Sequence, residues 1–269
     1  MPPFSVERLI MIILFIGDVV GSPGCNCARK LLPAFKKLKN VDFCIVNGEN
    51  SAPGNGILPQ SADHLFASGA DLITTGNHAL RRHEIYSVLD GNLPVIRPVN
   101  FHREAPGRGW DVIEKRGMRL AVINLMGSLW MDYAENPFDA VDRCIKEIQQ
   151  EGIKNILVDF HAEATAEKRA MGFYLDGRVS AVIGTHTHVQ TADEQILPCG
   201  TAYMTDAGMT GVIQSVLGVH IKNSTDRIRT GLPIRFEQCE GTCHMDGVLI
   251  ETDNKTGKAV YIERVSLTE

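Results

Sequence analysis

Short apolar runs alternate along most of the chain with stretches that keep an apolar stripe at helical spacing. Ile12–Ile16, Phe43–Val46, Asp71–Thr75, Asn155–Phe160 and Val179–Ile183 have the length and β-branched content of buried strands. Between them, Cys25–Leu38, Gln60–Ser68 and Ala164–Tyr174 read as helices, the second closed by Gly69. Asn136-Pro137 opens another, with Val141, Cys144, Ile145 and Ile148 on one stripe and Gly152 as its stop. Such alternation predicts an α/β architecture in which helices cover largely buried sheets. Past residue 195 the texture changes. Runs at Ala202–Thr205, Leu232–Phe236, Gly247–Glu251 and Ala259–Val265 predict more strands and one short helix.

The polar residues where those strands stop change the picture most. Asp18 follows the first run, and Glu49 and Asn50 follow the second. Asn77 and His78 follow Leu72–Gly76, and His161 follows Ile156–Phe160. Gly184-Thr185-His186-Thr187-His188 follows the last. In α/β sheets ligands bind beyond the carboxyl ends of the strands, so these loops converge on one expected site. Two closely spaced histidines at a strand end suit a metal; taken alone they also fit ordinary loop residues. The whole set of Asp18, Glu49, Asn50, Asn77, His161, His186 and His188, with His78 beside it, exceeds the needs of one tetrahedral zinc. It suits two metal ions sharing a carboxylate, and its mixed nitrogen and oxygen donors favour iron, manganese, zinc or cobalt over magnesium or calcium. Gly17, Gly48, Gly76 and Gly184 precede these residues and would allow tight turns there.

Composition bounds the rest. The 269 residues are 44% hydrophobic and 22% charged, an ordinary globular make-up. No linker, charge block or repeat marks a boundary, so residues 11–269 are expected to form a single domain behind an N-terminal extension, residues 1–10, with Met11 an alternative start. Leu9–Ile16 is too short to span a bilayer, and Gly17-Asp18-Val19-Val20-Gly21 stands where a signal peptide needs its cleavage site. A net charge of -5 argues against a face for duplex nucleic acid, while a small nucleotide in a metal pocket remains compatible with it. The seven cysteines form no Cys-x-x-Cys pair, and Cys239-x-x-x-Cys243-His244 lacks the second half of a metal site. They read as reduced thiols of a cytoplasmic protein. Association with a membrane is not expected; a homo-oligomer is left open.

Other chemistries lack their motifs: there is no Gly-x-Ser-x-Gly elbow, no His-Glu-x-x-His helix and no phosphate-binding Gly-x-x-x-x-Gly-Lys loop. Ser51-Ala52-Pro53-Gly54-Asn55-Gly56 reads as a turn-rich loop before a phosphate cradle. His64, His102, His220 and His244 lack the strand-end context. Arg81, Arg82 and His83 read as a solvated helix face, with a phosphate role as the weaker reading.

Gly17-Asp18, Gly48-Glu49-Asn50, Gly76-Asn77-His78, His161 and Gly184-Thr-His-Thr-His188 together resemble the metallophosphoesterase superfamily, the calcineurin-like phosphoesterases. Pro106-Gly107-Arg108-Gly109, Asp159-Phe160-His161-Ala162-Glu163-Ala164-Thr165 and Thr205-Asp206-Ala207-Gly208-Met209-Thr210-Gly211 narrow the resemblance to the YmdB-like 2',3'-cyclic-nucleotide phosphodiesterases. It runs from about Met11 nearly to the C-terminus. The resemblance implies a four-layer sandwich of two central mixed β-sheets flanked by helices, with two divalent or trivalent metal ions, iron or manganese ahead of zinc. Asp18, Glu49, Asn50 and His188 would hold one ion. Glu49 would bridge to the second, which Asn77, His161 and His186 complete. His78 would be the catalytic acid, and a hydroxide shared by the ions the nucleophile.

The implied substrate is a small nucleotide phosphodiester such as 2',3'-cyclic AMP. A phosphomonoesterase, an RNA-directed phosphodiesterase or a regulatory protein with incidental activity are the alternatives. Ala79-Leu80, Ser128 and Val212-Ile213 depart from the branch, which there tends to carry Thr-Trp, Arg and Pro-Tyr. An altered pocket lining is therefore expected, with weak activity on cyclic nucleotides that Ser128→Arg would partly rescue.

Overall fold

The computed structural model describes residues 9–132 and 134–269. In chain order the strands are β1 (Ile10–Ile16), β2 (Asp18–Val19), β3 (Phe43–Asn47), β4 (Leu72–Thr74), β5 (Trp110–Lys115), β6 (Met118–Met126), β7 (Ile156–His161), β8 (Ala181–Thr185), β9 (Gln195–Ile196), β10 (Ala202–Met204), β11 (Met209–Val212), β12 (Cys243–Asp253) and β13 (Ala259–Thr268). The helices are α1 (Gly21–Leu38), α2 (Pro59–Ser68), α3 (Tyr86–Leu89), α4 (Pro137–Gln150), α5 (Thr165–Tyr174) and α6 (Ile221–Thr230). One sheet runs β2-β11-β12-β1-β3-β4, with β13 on the far edge of β12, and the other β5-β6-β7-β8-β10-β9.

Alternation along the strands builds the layers, because successive side chains point to opposite faces. Met11, Ile13 and Phe15 of β1 and Phe43 and Ile45 of β3 pack against Leu120, Val122, Leu157, Ala181 and Ile183 of the second sheet. Leu14, Ile16, Cys44 and Val46 face the other way, onto Leu32 and Phe35 of α1 and Leu65 of α2. On the far side Ile123, Leu125, Val158, Phe160 and Val182 pack on the predicted stripe of α4 and on Met171 of α5. The result is a helix–sheet–sheet–helix sandwich. Both faces of β1, β3, β7 and β8 are covered, which is why these strands read as nearly continuous apolar runs.

Parallel pairing aligns the strand ends. β1, β3 and β4 run parallel in one sheet. β6, β7, β8 and β10 do so in the other. Their carboxyl ends therefore open on a common edge.

Some boundaries differ from the sequence reading. β1 begins at Ile10, inside the expected extension; residues 1–8 of that extension lie outside the described residues. α1 starts at Gly21, directly after β2. The β5–β6 hairpin, absent from the sequence pattern, pairs Trp110–Lys115 with Met118–Ile123. Leu232–Phe236 forms no strand. Pro233 removes a ladder donor, Leu232 is 60% exposed, and the Phe236 ring instead lies under the Arg227 guanidinium of α6, 4.4 Å from its centroid. Arg81 and Arg82 sit in a turn and not on a helix. Arg82 Nε donates to the Asn55 carbonyl at 3.1 Å, stapling the Gly-rich loop. No helix among the described residues is long and apolar enough to cross a membrane.

Candidate metal centre

The strand-end residues predicted to converge do so, drawn from both sheets. Asp18 starts β2 one residue after β1, and Glu49 and Asn50 lie just beyond β3. Asn77 and His78 follow β4, His161 ends β7, and His186 and His188 follow β8. Glu49, His161 and His186 offer atoms that all lie within 4.8 Å of one another. Glu49 Oε1 is at the centre, 3.2 Å from His161 Nε2 and 3.2 Å from His78 Nδ1, and it accepts from Asn50 Nδ2 at 3.0 Å. His161 Nε2 is 3.0 Å from Asn77 Oδ1 and 3.1 Å from His186 Nδ1. On the other flank His188 Nε2 is 3.2 Å from the Asn50 amide and 3.6 Å from Asp18 Oδ1. All of the predicted set is thus in one contiguous cluster.

The donor chemistry of the cluster fits a cation. The Thr185 hydroxyl donates to Asp159 Oδ1 at 2.7 Å, so the lone pair it offers His161 Nδ1 at 2.9 Å takes that ring's proton. With a cation in place of the ring's second proton, His161 Nε2 would aim its lone pair among the oxygens of Glu49 and Asn77, a donor set suited to a metal. Asp18 Oδ1 and His188 Nδ1 are buried with no hydrogen-bond partner. Orphaned buried atoms of this kind call for a ligand.

The electrostatics agree. Burial opposes ionisation of Asp18 and Glu49, yet His188 beside Asp18, and His161 and His78 beside Glu49, hold both carboxyls below their ordinary values. Burial pulls against the charge on His161, but Glu49 outweighs it and raises the ring to about 9. Burial, then the neighbouring charge of His161, pushes His186 down to about 4. Protons on imidazoles here stand in for the positive charge that the carboxylates require.

Two backbone features hold the cluster. The glycines expected to make turns act mainly through close approach: a Cβ on Gly76 would overlap the Glu49 carboxylate and the His161 ring. The left-handed conformations fall instead on His186, with φ 97°, and His188, with φ 62°. Non-glycine residues there cost on the order of 1–3 kcal/mol each, so surrounding bonds must impose them.

Those bonds come from residues the sequence reading left out. Asn47 donates to Asp159 Oδ2 at 3.0 Å and accepts from the Glu49 amide at 3.1 Å. Asp206 Oδ2 takes the amide and hydroxyl of Thr187 at 3.1 and 2.6 Å. Glu163 Oε2 lies 3.1 Å from His186 Nε2. The signal for one of them was present: Asp159 interrupts Leu157–Phe160, and a polar residue inside a buried run has a partner. Among the departures from the branch, Leu80 lines a cavity that also touches Asn77. Ser128, expected to line the pocket, binds Glu167 Oε1 through its amide and hydroxyl, each at 2.8 Å. Val212 is core, packed with Val19 and Met245.

Phosphatases and 5'-nucleotidases of known structure share this pair of sheets flanked by helices, so the fold is that of the calcineurin-like metallophosphoesterases. Within that class the chain belongs to the YmdB-like protein family, whose profile matches residues 14–265. It is 46% identical over 259 residues to the 2',3'-cyclic-nucleotide 2'-phosphodiesterase of Bacillus subtilis, covering 96% of this chain and 98% of that one. A solved Thermus thermophilus protein is 40% identical with TM-score 0.90, covering 96% of this chain and all of its own. A solved phosphatase of Mycoplasma pneumoniae is 32% identical, also with TM-score 0.90, covering 97% and 94%.

Proposed function

We propose that the protein hydrolyses phosphodiesters of small nucleotides, foremost 2',3'-cyclic nucleotides such as 2',3'-cyclic AMP, at a dinuclear metal centre. The observation that carries this reading is the contact set of Glu49 Oε1, a buried carboxylate held between the Asn50 amide and two imidazoles, one from the loop after β4 and one from the end of β7 in the other sheet. The Bacillus subtilis relative supports the substrate class. Asp18, Asn50 and His188 would hold one ion and Asn77, His161 and His186 the other, with Glu49 between them. When bound, the ions would polarise the phosphoryl oxygens and activate water for in-line attack. Iron or manganese fits the mixed donors, with zinc next.

His78 acts beside the ions without binding them. Its Nδ1 lies 3.0 Å from Asn50 Oδ1, and its amide donates to Glu49 Oε2 at 3.1 Å, which fixes the ring and leaves Nε2 to protonate the leaving alkoxide. Free buried thiols throughout the chain agree with a reducing, cytoplasmic setting.

The test screens 2',3'-cyclic, 3',5'-cyclic, monoester and single-stranded RNA substrates, with Asp18→Asn and Glu49→Gln as inactive controls. Fastest turnover of 2',3'-cyclic nucleotides is expected. Preference for a monoester or for RNA would replace the substrate class, and turnover unaffected by either control would refute the metal site. His78→Ala should retain its metals and lose roughly 100- to 10,000-fold in turnover.

A further inference from the structure

The turn that carries Asn77 also forms one wall of a cavity of about 540 Å³. That volume lies in the range of small-molecule sites. Leu80, Phe101, Ala105 and Ala134 supply apolar lining, and Arg103 adds a cation. Since Asn77 Oδ1 is 3.0 Å from His161 Nε2, the cavity and the candidate metal centre share a residue.

Its walls are held by buried polar side chains that no other part of the site uses. Asn100, fully buried, donates to the carbonyls of Met126 and Glu135 at 2.7 and 2.9 Å and accepts from the Met126 amide at 2.9 Å. It thereby welds the loop after Pro98 to the loop after β6. Arg97, 5% exposed, spends its guanidinium on the carbonyls of Pro98, Ala105 and Pro106 at 2.8, 3.2 and 3.2 Å. Those bonds close the loop into the curve that presents Phe101. Burying a guanidinium is costly unless its hydrogen bonds are satisfied, and here all of them serve the shape of one loop. A pocket whose walls are fixed in this way binds without first ordering its walls.

We propose that this cavity is the subsite for the nucleobase of the substrate, with Phe101 as the face on which the base stacks and Leu80 as the opposing apolar contact. The proposal rests on the phosphodiesterase reading above. A phosphate at the metal cluster leaves the nucleoside to extend along the wall that Asn77 begins, where Leu80 and Phe101 offer apolar and aromatic surface between the polar groups of Arg103, Asp132 and Glu135. Loss of a base-stacking aromatic costs about 5- to 150-fold in binding.

The experiment compares the KM for 2',3'-cyclic AMP with that for ribose 2',3'-cyclic phosphate, a diester with neither base nor aromatic ring, in wild type, Phe101→Ala and Phe101→Trp. Thermal melting of each variant checks folding. For Phe101→Ala the nucleotide KM should rise at least several-fold more than that of the base-free diester, and Phe101→Trp should restore the nucleotide KM. Equal changes for the two substrates, or no change for either, overturn the subsite while leaving the phosphodiesterase reading intact. Wild-type turnover confined to the base-free diester overturns both. Should Phe101→Ala not fold, Leu80→Ala is read in the same way.

Discussion

Lys168 Nζ lies 2.7 Å from Asp206 Oδ2, with both side chains buried, and that same oxygen holds the amide and hydroxyl of Thr187 between His186 and His188. A buried ion pair on α5 and the loop after β10 thus grips the residue between two candidate ligands in left-handed conformations. Removing one partner of such a pair strands the other, at about 3–5 kcal/mol. Lys168→Met should lose about that much in denaturant unfolding of the metal-free protein and should weaken metal retention. A loss no larger than that of a surface pair, below about 1 kcal/mol, would mean that Lys168 does not support the loop.

Protein purified without chelators should carry about two equivalents of iron, manganese or zinc by elemental analysis. Chelation should abolish turnover and lower the melting temperature, because an ion that binds only the folded chain stabilises it. Less than one equivalent, with no response to added metal, would contradict the dinuclear centre.

Gly76→Ala places a methyl group where the Glu49 carboxylate and the His161 ring now lie. The backbone there has no left-handed requirement, so strain comes from the collision alone. The variant should fold, since Gly76 sits beyond β4, and should lose most of its metal. Full metal content in Gly76→Ala would show that Glu49 and His161 stand farther from this backbone than described.

Thiol chemistry separates the cysteines. Burial pushes Cys25 up to about 11 and Cys44 up to about 12. Cys27 and Cys144 are likewise raised to about 12, burial being the main cause, while Cys199 is exposed. Only the thiolate reacts, so iodoacetamide at neutral pH should label Cys199 first and reach the buried thiols on unfolding. Rapid native-state labelling of Cys44, counted by peptide mass spectrometry, would be incompatible with its burial.

Much of this architecture was legible before the fold. Parallel strands covered on both faces are mostly apolar, so β1, β3, β7 and β8 announced themselves as runs, and α4 carried its cap and stripe in the sequence. The candidate site was legible for a related reason. Each of its side chains stands directly after a strand, and parallel pairing brings such ends to one edge. β6 went unread in the sequence, and its pairing with β5 and β7 is what makes it the second sheet's counterpart of β1.

Three-dimensional proximity decided the rest. Asn47 meets Asp159, Thr187 meets Asp206, and Asn100 meets the carbonyl of Glu135 across separations of 112, 19 and 35 residues. No local pattern encodes such pairs, since a hydrogen bond depends on a distance that only packing sets. Leu232–Phe236 shows the converse: its pattern is strand-like, but Pro233 breaks the ladder and the Phe236 ring packs against Arg227 of α6. The identities of the strand-end residues were in the sequence. The orientation of each ring, the oxygens gathered around His161 Nε2 and the walls of the neighbouring cavity exist only because two sheets are pressed together.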